Sequence, residues 1–197
     1  MRASSTEAEA AVAFLSAHRI EPDRFQIESA QAIDRGEAVV VTAPTGAGKT
    51  LIAEAAIARA VLRRSRSFYT TPIKALSNQK FGDLIAAYGS DRVGLLTGDN
   101  TINAEAPIVV MTTEVLRNMI YAGSAALHDL GVVILDEVHY LQDRYRGSVW
   151  EEVIIHLPQT VQLISLSATI ANPTEFTGWM ESRRGPTSLI GDRKSVV

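Results

Sequence analysis

The sequence predicts an α/β domain, a parallel sheet with helices on both faces, and three observations carry that prediction. Short apolar runs recur at residues 38–42, 67–71, 93–97, 108–111, 132–136 and 161–166. Helix-patterned stretches over 49–64, 74–88, 113–122 and 148–157 alternate with them. A glycine-rich turn, Ala43-Pro44-Thr45-Gly46-Ala47-Gly48-Lys49-Thr50, joins the first run to the first of those helices. Strands that are apolar throughout are covered on both faces, as in parallel sheets with helical crossovers. Right-handed crossovers put every strand-to-helix loop along one edge, where ligands bind in such folds.

Taken in order, residues 1–20 read as an N-terminal helical extension, with Thr6 and Glu9 at capping-box spacing. Glu21-Pro22-Asp23 breaks that pattern, and the main domain runs over 21–190. In the helix over 49–64, Arg63 and Arg64 fall where a helix C-terminus favours cations. Gly89, Gly123 and Pro158 stop the next three helices. A last helix begins at Asn172, with Pro173 in its first turn and Glu175 completing a capping box. Asp192–Val197 back-translates into a common sequencing-library adapter, so the segment 191–197 is expected to be non-native and to find no place in the core.

Composition narrows the function classes. A chain of 197 residues with 46% hydrophobic residues suits one packed domain. A net charge of −3 argues against a generally basic nucleic-acid coat protein. It leaves room for a local groove that grips phosphates through amides, hydroxyls and a few cations. With no cysteine, disulfides, thiolate metal sites and cysteine nucleophiles are excluded. No apolar run approaches the roughly 20 residues of a membrane span. Glu7 and Glu9 stand where a secretory signal would be basic, so a cytoplasmic soluble protein is expected.

The turn at 43–50 follows a strand and opens a helix, the setting a phosphate-binding loop requires. Thr45, Gly46, Ala47 and Gly48 would wrap the backbone round an anion, with N–H groups and the helix N-terminus facing it. Lys49 would reach the β and γ phosphates of ATP, and the Thr50 hydroxyl would ligate Mg²⁺. The first position is Ala43 where the strict pattern has glycine. Downstream, Val132-Val133-Ile134-Leu135 runs into Asp136-Glu137-Val138-His139. Two carboxylates at the end of a buried strand are costly unless a cation or water network uses them. Asp136 is placed to hold Mg²⁺, and Glu137 to orient and deprotonate an attacking water. The alternative for that pair is two solvated loop acids. His139, directly after it, is a candidate for coupling.

These motifs resemble those of a known family. The loop at 43–50, Asp136-Glu137-Val138-His139 and Ser167-Ala168-Thr169, in that order, look like motifs I, II and III of superfamily-two helicases. The valine in the acidic box, with Arg146-Gly147-Ser148-Val149-Trp150-Glu151-Glu152 after it, is similar to the superkiller-like DEVH-box RNA helicases, including actinobacterial members. The resemblance covers residues 24–190 and implies the first RecA-like lobe of such an enzyme. It implies that Gln26 hydrogen-bonds adenine with Phe25 packing nearby. It also implies nucleic-acid backbone contacts at Pro72 and Lys74, at Thr97-Gly98-Asp99 and at Thr113. Ser167 and Thr169 would couple the ATP and nucleic-acid sites. From the residues alone, Thr97 and Thr113 could equally be helix caps, and Ser167 and Thr169 could cap a turn. Trp150 and Trp179 read as packing residues rather than base-stacking platforms.

The resemblance implies ATP and Mg²⁺ as cofactors and single-stranded RNA as partner, with DNA open because backbone contacts carry no base information. It also implies a second RecA-like lobe supplying arginines, so the chain is expected to be a weak or inactive ATPase alone. A one-lobe nucleotide- and nucleic-acid-binding module without turnover is the competing class.

Overall fold

The computed structural model describes residues 9–17, 21–138 and 147–191. In chain order the elements are α1 (Ala10–Ser16), α2 (Arg24–Arg35), β1 (Ala38–Thr42), α3 (Lys49–Leu62), β2 (Arg66–Thr71), α4 (Lys74–Tyr88), β3 (Val93–Leu96), β4 (Thr101–Ile102), β5 (Ile108–Thr112), α5 (Thr113–Tyr121), β6 (Leu130–Leu135), α6 (Gly147–His156), β7 (Gln162–Ser167), α7 (Pro173–Arg184) and β8 (Thr187–Gly191). They form one sheet ordered β4-β3-β5-β2-β6-β7-β1-β8. Every pairing is parallel except the short β3–β4 hairpin.

The period-two alternation of the strands sends side chains to two cores. Val39, Val41, Ile108, Val110, Val132, Ile134, Ile164 and Leu166 face one side, against residues of α1 to α4 such as Leu15, Phe25, Ile52 and Leu84. Val40, Phe68, Val109, Met111, Val133, Leu135 and Leu163 face the other, against Leu116 of α5, Trp150 and Ile154 of α6 and Met180 of α7. Trp150 is fully buried there, as its packing role predicts. The predicted α/β class, with helices on both faces, is the observed one.

Apart from a single 3₁₀ turn at Ala125–Leu127, three elements escaped the sequence pattern. The stretch 24–35 is helix, with Phe25, Ala32 and Ile33 on its buried side. Gln26, Ser29 and the alanines dilute that apolar stripe, so its period is weak in sequence. The two-residue β4 is too short to show a period. β8 pairs with β1 from Ala38↔Thr187 to Thr42↔Gly191. Gly191 therefore closes a strand, and residues 192–197 lie outside the described residues, as does Thr6 of the N-terminal capping box. At α7 the expected cap is present: the Asn172 side chain accepts from Glu175 N at 3.3 Å and donates to Glu175 Oε2 at 2.7 Å, with Pro173 in the first turn.

At the edge where the strands begin, a polar network fixes the helices to the sheet. Gln162 Nε2 donates to Ile33 O at 3.0 Å and Glu37 O at 2.7 Å, and its Oε1 accepts from Arg59 Nη1 at 2.9 Å. The Asp34 carboxylate accepts from Ala11 N and Val12 N, both at 3.0 Å, and lies 3.5 Å from Arg59 Nε. Asp34 thereby caps α1 and fixes it against α2 and α3. Buried polar groups tolerate such positions only when partnered, which is why one amide and one guanidinium serve three elements here.

Candidate nucleotide and nucleic-acid site

Because the long strands are parallel, the C-terminal ends of β1, β2, β3, β5, β6 and β7 share the opposite edge, and the predicted motifs lie along it. The loop after β1 turns through Gly46 at φ 83° and Gly48 at φ 86°, a region that side chains disfavour. Gly48 is glycine for a second reason: a Cβ there would lie 2.5 Å from Gln26 Nε2. Ala43 N donates to Ser167 O at 3.1 Å, so the departure from glycine at position 43 falls on a buried residue just past the end of β1, tied to the end of β7.

Lys49 opens α3, and its ammonium donates to Ala43 O at 2.6 Å and Pro44 O at 3.0 Å. Burial pushes its pKa below the ordinary lysine range, while Glu137 and Asp136 pull it back up. Asp136 follows β6, and its carboxylate is held on both oxygens. Oδ2 accepts from the Tyr69 hydroxyl at 2.5 Å, and Oδ1 from Glu137 N at 2.9 Å. Burial, then the Asp136 charge, raises the Tyr69 pKa well above its usual value, so the phenol stays protonated and donates. Glu137 has φ 57° without being glycine. A non-glycine residue in that region costs on the order of 1–3 kcal/mol and is found where the surroundings impose it, often at active sites.

Thr45, Gly46, Gly48, Lys49, Thr50, Asp136 and Glu137 line one cavity of about 350 Å³, together with Thr71, Leu76, Gln79 and Lys80. Its metal-capable donors are hard oxygens, from the Thr50 hydroxyl and two carboxylates. No group of three or more His, Asp or Glu side chains suited to a metal occurs among the described residues. That donor set fits Mg²⁺, which binds through one or two protein oxygens and takes its other ligands from water and phosphate.

The neighbouring loops carry the predicted nucleic-acid residues, and the structure divides them. Lys74 is exposed at the start of α4 and pairs with exposed Asp99. Gly98 stands open beside them, and Pro72 is half-buried. The hydroxyls of Thr97 and Thr113 are both engaged within the protein, Thr97's by the exposed Asp99 of its own loop and Thr113's by buried main chain. Thr97 Oγ1 donates to Asp99 Oδ1 at 3.1 Å, and Thr113 Oγ1, on a residue only 3% exposed, donates to Thr71 O at 3.2 Å. Asp99 holds Lys74 and Thr97 rather than facing outward alone, and the Lys74 ammonium lowers its pKa.

Gln26 is 6% exposed. Its Nε2 donates to Gly48 O at 3.1 Å and its Oε1 accepts from Asp23 N at 2.9 Å, so it braces the phosphate loop against α2. Phe25 is core, 4% exposed. Ser167 is buried with Oγ donating to Thr169 O at 2.9 Å, while Thr169 is exposed. His139 lies outside the described residues. Sequence reasoning missed Tyr69, Gln79 and Lys80. A tyrosine near the end of a buried strand, needing a partner for its hydroxyl, was the one available signal.

A mostly parallel sheet whose first strand feeds a glycine-turned phosphate loop, with a carboxylate pair two strands away in the same cavity, defines a RecA-like P-loop nucleotide-binding domain. The chain belongs to the DEAD/DEAH box helicase family, which it matches over residues 23–176. It is 56% identical over 175 residues to the probable helicase HelY of Mycobacterium leprae, a match covering 89% of this chain and 19% of that protein. It is 51% identical over 160 residues to the antiviral helicase SKI2 of Saccharomyces cerevisiae, covering 81% of this chain and 12% of that protein. These relatives agree with the superkiller-like, actinobacterial type that the sequence resembles. The fold is similar to that of the Mycobacterium smegmatis helicase Lhr bound to single-stranded DNA and AMP-PNP. That likeness has a TM-score of 0.72 and 27% identity, and covers 95% of this chain and 28% of that one. The chain thus spans no more than about a fifth of the length of the two curated relatives.

Proposed function

We propose that the chain is the ATP-binding lobe of an ATP-dependent RNA helicase acting in the cytoplasm. It binds ATP with Mg²⁺ in the 350 Å³ cavity and a single-stranded RNA backbone on the adjoining loops. Joined to a second RecA-like lobe, it hydrolyses ATP to drive unwinding. The observation that supports this best is the convergence of Lys49, Thr50, Asp136 and Glu137 on one cavity beside Thr71, at the root of the Pro72–Lys74 turn.

Each residue then has a role. The amides around Gly46–Gly48 and the N-terminus of α3 bind phosphate oxygens. Lys49 exchanges its carbonyl acceptors for the β and γ phosphates. Thr50 and Asp136 would hold Mg²⁺, which would supply neutralisation of phosphate charge. Glu137 orients the attacking water and takes its proton. Gln26 keeps one amide N–H and one lone pair beyond the two bonds given above, enough to meet adenine at the loop's side. Lys74 and the open backbone at Gly98 meet nucleic-acid phosphates. A DNA substrate is the second reading, favoured by the single-stranded DNA in the similar Lhr structure.

The test compares ATP-analogue binding and phosphate release with RNA and with single-stranded DNA of the same length. RNA is expected to stimulate turnover more strongly. Stimulation by DNA alone would make the protein a DNA helicase or translocase. Nucleotide binding with no turnover, even with a second lobe attached, would leave a binding module. Tyr69→Phe, which deletes only a hydroxyl, is expected to raise the Mg²⁺ concentration for half-maximal ATP-analogue binding about ten-fold. That corresponds to one hydrogen bond to a charged group. An unchanged Mg²⁺ dependence would remove Tyr69 from the positioning of Asp136.

A further inference from the structure

Helix α4 begins with Lys74, at the nucleic-acid side of the site. From its first turn onward, Leu76, Gln79 and Lys80 line the nucleotide cavity. Residues spaced by three and four share one helix face, so one side of α4 is turned toward the phosphate loop. Lys80 stands out on that face. A helix-surface lysine ordinarily extends into water. Here the side chain is only 16% exposed, and its Nζ reaches 3.5 Å from Thr50 Oγ1 and 5.5 Å from the Tyr69 ring centroid. Its acidic partner, Asp83 at 3.6 Å, is itself 56% exposed.

We infer that Lys80 is a second phosphate-binding cation that contacts the terminal phosphate of the bound nucleotide; this rests on the nucleotide-binding reading above. In a phosphate loop the backbone N–H groups cradle the inner phosphates, and the hydroxyl of the final Ser or Thr marks the metal and terminal-phosphate side. Lys80 lies against that hydroxyl. The cavity already holds the carboxylates of Asp136 and Glu137, with Lys49 as its one other lysine. A triphosphate adds further negative charge, which a second ammonium offsets.

The present partners of Lys80 yield easily. A long hydroxyl contact, a solvent-screened ion pair and a cation–π contact are each weak. A charge-assisted bond to phosphate is stronger than any of them. The consequence reaches the nucleic-acid side through α4 itself. Thr71 Oγ1 lies 2.7 Å from Ser77 Oγ and donates to Ile73 O at 3.0 Å, so the first turn of α4 is tied to the end of β2. Gain or loss of the terminal phosphate would pull on the same rigid helix that presents Lys74.

The experiment measures Mg²⁺-dependent affinity for ADP and for a non-hydrolysable ATP analogue in the whole chain, for wild type, Lys80→Gln and Lys80→Arg. Lys80→Gln is expected to weaken the ATP analogue about ten-fold and to leave ADP within about two-fold, with Lys80→Arg recovering most of the loss. Equal weakening of both nucleotides, or of neither, would overturn the inference. A wild-type chain that binds neither nucleotide would overturn the nucleotide-binding reading and this inference with it. Tight wild-type binding with an unaltered ATP-to-ADP ratio in Lys80→Gln would remove the inference alone. Thermal unfolding of both variants without nucleotide, expected to match wild type, separates a local phosphate contact from loss of fold.

Discussion

Glu137→Gln is expected to leave ATP bound and unhydrolysed. The substitution keeps the size of the side chain and its hydrogen-bonding reach while removing the basic carboxylate. The backbone at φ 57° is no more strained for glutamine than for glutamate, so the fold has no new cost to meet. Asp136 keeps both hydrogen bonds that orient its carboxylate, because one comes from Tyr69 and the other from the main-chain N–H of residue 137. Metal and nucleotide binding should therefore stay within about two-fold of wild type. Hydrolysis should fall by about 10²–10⁴-fold, the usual contribution of a positioned general base. Phosphate release is the readout, in the chain and in a longer protein that carries it with a second lobe, beside an equilibrium titration with an ATP analogue. An equal loss of binding would make Glu137 a ligand of the nucleotide or its metal. Unchanged release would place the base elsewhere.

The parts of this site that were legible in sequence are those whose chemistry is local. A phosphate loop needs left-handed backbone at defined positions, and Gly46 and Gly48 announce it within eight residues. An acid pair ending an apolar run is conspicuous because burying it costs so much. Contacts between distant residues left no such trace. Tyr69 finds Asp136 across 67 residues, Lys80 finds Thr50 across 30, and Gln26 finds Gly48 across 22. Each rests on the sheet order and on which helix face turns inward. Thr97 and Thr113 show the converse limit. A threonine where a strand gives way to a helix or turn can serve a cap, a neighbouring carbonyl or a phosphate, and only the side-chain direction decides. Here the Thr113 hydroxyl points inward to Thr71 O and that of Thr97 is taken by the Asp99 carboxylate of its own loop, which leaves Lys74 and the backbone around Gly98 as the available groups. The fold class was legible because strand length, apolar content and helix stops agree along most of the chain. The missed α2 and β8 are the segments where that agreement is weakest.

Lys49→Ala should separate binding from chemistry in the opposite sense to Glu137→Gln. The ammonium is buried against Ala43 O and Pro44 O, at the mouth of the loop whose amides face the phosphates. Deleting it removes a buried positive charge from the cavity. Truncating one partner of a buried charge pair costs about 2–5 kcal/mol, so nucleotide affinity is expected to fall at least about 30-fold. The fold should survive, because burial already disfavours the charged amine in the free protein. That same burial gives a pH signature with a fixed sign. A lysine whose pKa is lowered sheds its proton at lower pH than an ordinary lysine, and the neutral amine attracts phosphate poorly. Wild-type affinity should therefore decline on the alkaline side, beginning below the ordinary lysine range. Lys49→Ala should lack that decline, having no proton to lose there. Calorimetric titration of an ATP analogue from neutral to alkaline pH, on both proteins, reads both effects. A variant that kept the alkaline decline would show that another group titrates in the site. A variant that bound nucleotide as wild type does would refute the phosphate loop itself, and with it the helicase reading of this lobe.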